Sequence, residues 1–144
     1  VMTAGNLIAF SEGKLYIHDS TSYNQFYGVD YDTEVTVVFN ENPSNQKFFI
    51  EVRVDATDIF SCPDITNSKG QTSELSVDDF EEWEGVYYAA LLRDSSTPNI
   101  SNPLFEGDEL RDHSLIVKFS NTGTDYARLF AVGCIHSNSE LTNR

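Results

Sequence analysis

The sequence predicts an all-β chain, an antiparallel β-sandwich or distorted barrel built from hairpins with long polar loops. Three observations carry this. Short runs rich in Val, Ile, Phe and Tyr recur, several with period-two alternation. Clusters of Gly, Pro, Asn and Asp separate them. No stretch shows the 3.6-residue apolar stripe of a helix packed on a core.

The elements follow in chain order. Leu7–Ser11 and Lys14–His18 flank Glu12-Gly13, a two-residue connection whose glycine tolerates positive φ, and so form a hairpin. A polar loop from Asp19 to Gln25 leads to Phe26-Tyr27-Gly28-Val29. Glu34–Asn40 is β-branched and ends at the turn Glu41–Asn45. Gln46–Val54 alternates, with Phe48, Ile50, Val52 and Val54 expected inside, and pairs with the preceding run as a second hairpin. Asp55–Val77, rich in Ser, Thr, Asp and Asn, reads as loop with short irregular strands. Val77–Glu84 suits a helical turn or an irregular strand, and Gly85–Arg93 a central strand. Asp94–Pro103 holds two proline breakers and is an extended loop. Ser114–Ser120 and Tyr126–His136, joined by 121–125, complete a last hairpin with Leu115, Val117 and Phe119 on one face. The tail from Ser137 to Arg144 is expected to fray.

At 144 residues the chain is the size of one domain, read as a single β domain over 1–144. Its 23 Asp and Glu against 9 Lys and Arg leave a formal charge of −14. That balance argues against a surface that grips nucleic acid or anionic membrane, which needs clustered cations. With 40% apolar residues the chain can still build a core, so it is expected to be folded and soluble. No apolar run approaches the roughly 20 residues of a membrane helix, and the start lacks a signal-peptide pattern. Val1, with no methionine before it, is expected to mark a cleavage or boundary within a longer chain.

Candidate chemistry is sparse. Cys62 and Cys134, far apart and without basic neighbours, read as reduced, unpaired thiols. His18, His113 and His136 lack zinc-ligand spacing and a nucleophile elbow, so they read as solvated or strand-end groups. Asp30, Asp32 and Glu34 share one side of an extended segment, a weak calcium pattern without the glycine and distal glutamate of an EF-hand. Asn99-Ile100-Ser101 fits the glycosylation acceptor pattern, which arises often by chance. No catalytic residue, cofactor or metal is expected. The densest feature is Asp78-Asp79-Phe80-Glu81-Glu82-Trp83-Glu84, five acids around two rings. It is either a docking segment or a plug, with Phe80 and Trp83 in the core and the acids in water. Asp78, Asp79, Glu81, Glu82 and Trp83 are the candidate interaction or channel-facing residues. The Tyr- and Asn-rich stretch Ser20–Tyr31 leaves a carbohydrate- or receptor-binding module as the alternative.

An ordered set of strings adds a resemblance. Gly13–His18, Asn24–Gly28, Val38–Asn40, Pro43, Lys47–Phe49, Glu84–Asp94, Thr97–Asn99 and Asn102–Arg111 together resemble the C-terminal part of the tail muzzle (tail stabilisation or nozzle) proteins of crAss-like bacteriophages. The likeness runs from about Gly5 to Ser139, and Asp112 departs from it where a glycine is expected after Leu-Arg. The resemblance implies a structural virion protein and no catalytic residues. It implies a homo-oligomeric ring that closes or lines the distal DNA exit channel, assembled in the host bacterial cytoplasm with other tail proteins and the rest of its own chain. Genomic DNA would pass nearby without specific binding. An acidic lining from Asp78–Glu84 or Glu106–Glu109 would repel the duplex and let it slide.

Overall fold

The computed structural model describes residues 2–3 and 5–139. Fourteen strands and one 3-10 turn make up its regular structure. In order they are β1 (Met2–Thr3), β2 (Asn6–Ser11), β3 (Lys14–Ile17), β4 (Gln25–Phe26), β5 (Val29–Asp30), β6 (Thr33–Phe39) and β7 (Lys47–Ala56). Then come β8 (Ser61–Thr66), β9 (Thr72–Leu75), the 3-10 turn Val77–Asp79, β10 (Glu81–Trp83) and β11 (Val86–Ala90). The chain continues through β12 (Arg111–Asp112), β13 (Leu115–Asn121) and β14 (Leu129–Asn138). The predicted all-β class holds, as antiparallel sheets without a closed barrel.

Contacts divide the chain into two compact units, 1–33 with 122–127, and 34–121 with 128–144. The first holds the sheet β1-β2-β3 and the ribbon β4-β5. Glu12 and Gly13 both take positive φ, 49° and 76°, so the expected hairpin closes as Ser11 pairs with Lys14. Tyr27 and Gly28 repeat this geometry at 51° and 75° between β4 and β5. That second hairpin is hidden in the sequence because its strands are only two residues long.

The second unit is a sandwich. One sheet centres on β7, which pairs with β14 along one edge and with β11 and then β12 along the other, β10 lying outside β11. The facing sheet runs β6-β13-β8-β9. Val52, Val54 and Ala89 from the first sheet and Cys62, Ile65, Leu115, Val117 and Phe119 from the second meet in one buried cluster. At about 25 cal/mol per Å² of apolar surface removed from water, this cluster is the main source of stability.

Three expectations change. Phe49, not Phe48 or Ile50, is buried in β7. Opposite it, Ile135 pairs with Glu51 and His136 with Phe49, so Ile50 is an extra residue in a bulge that inverts the alternation. The runs 34–40 and 46–54 are not a hairpin, because β6 and β7 lie in opposite sheets. The 40–46 link crosses between them, held by Lys47, whose buried ammonium donates to the carbonyls of Asn42 and Asn45 at 3.2 Å each. Likewise β13 and β14 lie in opposite sheets, so the expected last hairpin is also a crossing.

Elsewhere 55–77 is more regular than expected, with β8 and β9 paired. Asp112 lies in a strand without positive φ, so a glycine is not required there. Ser137 and Asn138 end β14, and the amide of Ser139 donates to Gln46 O at 2.8 Å, whereas the rest of the expected frayed tail lies outside the described residues.

Candidate functional site

The acidic segment begins where β9 ends. Val77–Asp79 forms a single 3-10 turn, and the Asp79 carboxylate accepts from the backbone N–H and the hydroxyl of Ser76, each at 2.7 Å. Asp79 thus stabilises its own turn in the manner of an N-terminal cap. Phe80 follows and is buried, anchoring the turn to the core. Glu81–Trp83 then emerges as β10, the outermost strand of its sheet, Trp83 lying opposite Val86. Trp83 is 71% exposed, and Asp78, Asp79, Glu81, Glu82 and Glu84 of the same segment are exposed as well. The segment therefore divides between its two readings: Phe80 is the plug, and Trp83 stands in water among acids. Tyr87 registers the field of this strand; burial raises its hydroxyl pKa, and the charges of Glu82 and Asp58 add to the rise.

Glu106, Asp108 and Glu109, the other acidic stretch, lie exposed in the loop that joins β11 to β12. The Glu106 carboxylate accepts from the amides of Ser101 and Asn102, at 2.7 and 3.1 Å, and these bonds hold its pKa below the usual value. Asp94, predicted only as the start of an extended loop, is buried and accepts from the amides of Thr72 and Ser96 and from the Ser96 hydroxyl.

Two features were not legible in the sequence. A cavity of 570 Å³ is lined by Phe48, Lys69, Gln71, Arg93, Arg111, Asp108 and Glu109. It gathers three of the nine cationic residues of the chain, from positions too far apart to form a motif. In the first unit a 260 Å³ cavity is lined by rings (Tyr16, Tyr23, Phe26, Tyr27) and polar groups of the Asp19–Gln25 stretch. Its Tyr16 and Tyr27 meet edge-on at 5.2 Å. The Tyr- and Asn-rich composition was the only hint of it.

Cys62 and Cys134 are free thiols, and burial pushes both up to about 12, with the Glu51 charge contributing at Cys134. His113 Nδ1 lies 2.9 Å from Pro43 O, while His18 stacks edge-on against Tyr27. Among the described residues no group of three His, Cys, Asp or Glu is close enough to hold a metal ion, so Asp30, Asp32 and Glu34 do not converge. Among the described residues no helix is long and apolar enough to cross a membrane.

A family model described as the Crassvirus muzzle protein C-terminal domain matches residues 21–94, just over half of the chain. The chain belongs to that family. The match takes in Asn24–Gly28, Val38–Asn40, Lys47–Phe49, the acidic segment and Glu84–Asp94; Gly13–His18 and Thr97–Arg111 lie outside it. No curated protein matches the chain. Membership of the muzzle family makes it a structural virion protein, a component of the tail that associates with other tail proteins.

Proposed function

We propose that this chain is a building module of a ring at the distal end of the phage tail, closing or lining the channel through which DNA leaves. It would be part of a longer tail protein, assembled in the host bacterial cytoplasm. The observation that carries this reading is the state of the first unit. None of its described residues is buried, and Leu7, Phe10, Leu15, Ile17, Phe26 and Val29 are all more than half exposed. Ile8 pairs with Ile17 and Phe10 with Leu15, so four apolar side chains share one face of the β2-β3 hairpin. β1 adds only two residues to this hairpin, and a small sheet whose apolar face is bare gains stability when that face is covered. Neighbouring tail chains would supply the cover.

Amide hydrogen exchange tests this, on the purified chain and on intact tails. The amides of β2 and β3 should exchange fast in the free chain and gain protection of at least tenfold in the tail. Equal protection in both states would contradict the reading.

The DNA-facing role follows from charge. A lining of Asp78, Asp79, Glu81 and Glu82 would offer the duplex no cationic grip. Replacing Asp78 and Asp79 with Lys should slow ejection from normally assembled particles; unchanged ejection kinetics would exclude this lining.

A carbohydrate- or receptor-binding role has its own support in the ring-lined cavity between Tyr16 and Gly28, where aromatic faces and amide groups lie together as sugar sites require. Binding on a glycan array, abolished by Tyr27→Ala, would favour it.

A further inference from the structure

We infer that the Lys69–Arg93–Arg111 cavity is the receptor for the acidic edge strand of a second copy of this chain, so that copies join head to tail. The inference rests on the reading above, that the chain works in an assembly of its own copies.

The cavity is cationic in a chain that is otherwise strongly acidic. Arg111 lies with its guanidinium 5.3 Å over the Phe48 ring, and its buried Nε has no hydrogen-bond partner among the described residues. Neither Arg111 nor Lys69 makes an ion pair among the described residues, whereas Arg93 donates to the Gly107 carbonyl at 3.2 Å and reaches Glu109 at 3.8 Å. Asp108 and Glu109 also line the cavity, and Asp112 lies near Lys69. The Asp112 carboxylate, however, is taken up by Ser68 and by the His113 amide. Two cations therefore remain for an incoming carboxylate, and Arg binds carboxylates in a planar, two-bond fork.

The matching ligand is on the same molecule but out of its own reach. Trp83 lies opposite Val86, which pairs with Asp55, whereas Arg111 pairs with Phe48. Glu81, the nearest carboxylate of the acidic strand, lies opposite Tyr88, which pairs with Arg53, so it stands five positions along β7 from Phe48, about 15 Å from the cavity. That exceeds the Debye length of about 8 Å at physiological salt, so one copy cannot satisfy its own cavity. Glu81, Glu82 and Trp83 stand on an open sheet edge, where a neighbour can approach without clash. An interface that joins two different patches is heterologous, and it closes into a ring when the rotation between copies allows.

Sedimentation velocity over a concentration series, in physiological salt, tests the pairing. The wild-type chain should self-associate. Lys69→Glu/Arg111→Glu and Glu81→Lys/Glu82→Lys, each confirmed folded by circular dichroism, should each associate at least tenfold more weakly. An equimolar mixture of the two variants should associate again, since each then meets its charge complement. Should the cavity variant unfold, Glu81→Gln/Glu82→Gln reads the same contact from the other side and should weaken association likewise. Association unchanged by the reversals, or a mixture that stays apart, overturns this pairing and leaves the assembled reading standing. A wild-type chain that is monomeric throughout overturns both.

Discussion

The carboxylate of Asp112, buried on β12, accepts from the backbone N–H and the hydroxyl of Ser68 at 2.8 and 2.5 Å. Ser68 follows β8 in the facing sheet, so one side chain joins the two layers of the sandwich over 44 residues of sequence. Asp112→Ala removes these bonds and the one from the His113 amide; Ser68 is exposed, so water takes up its donors, and the loss should be about 1 kcal/mol. Urea denaturation should show the midpoint falling with an unchanged slope.

Acid should weaken the fold through the same group and Asp94. Burial pushes both carboxyls up. At Asp112 the Ser68 hydroxyl, the amides of His113 and Ser68 and the charge of Lys69 outweigh it. At Asp94 the Thr72 and Ser96 amides and the Ser96 hydroxyl do so. Both pKa values are thus lower folded than unfolded. Their stabilisation is complete above the unfolded carboxyl value of about 3.9 and is lost as pH falls through the lower folded values. Unfolding free energy measured between pH 6 and pH 2 should drop, and Asp112→Asn should drop less.

Gly107 is the glycine that tolerates no replacement. Its φ is +93°, and an added Cβ would come within 2.5 Å of the Asp94 carbonyl oxygen. Gly107→Ala should cost about 2 kcal/mol or more, combining left-handed strain with a backbone clash. Gly85, at φ +82° with nothing within 4 Å of such a Cβ, should lose only about 1 kcal/mol on the same change. Comparing the two midpoints checks the difference.

The thiols should be silent in the folded chain. Cys62 is fully buried, and both thiols are pushed up to about 12. At pH 8 with a disulfide reagent, Cys62 should react only after guanidinium is added. Immediate labelling of Cys62 without denaturant would contradict its place in the core.

The sequence was most legible where one short segment decides the structure. Glu12-Gly13 specifies a turn by itself, and the alternation of Leu115, Val117 and Phe119 names an inward face without reference to a partner. It was least legible where the partner decides. The β-branched run 34–40 and the alternating run 46–54 each read as a strand, but nothing in either says that they face each other across a core rather than lie side by side. The bulge at Ile50 is set by Ile135 and His136 of β14, far along the sequence, and so it inverted the expected faces of Phe48 and Phe49. The acidic segment could be located by composition, yet which of Phe80 and Trp83 is buried depends on the turn that Ser76 and Asp79 close. The cavity of Lys69, Arg93 and Arg111 had no local trace, because folding alone brings those positions together.

Electron microscopy of purified particles carrying this chain tests the central claim most directly. The account predicts a symmetric ring of copies at the distal end of the tail, with the β2-β3 hairpin of each covered by a neighbouring chain. Particles in which the chain is absent from the tail end, or present there as isolated copies with that hairpin bare, would contradict it.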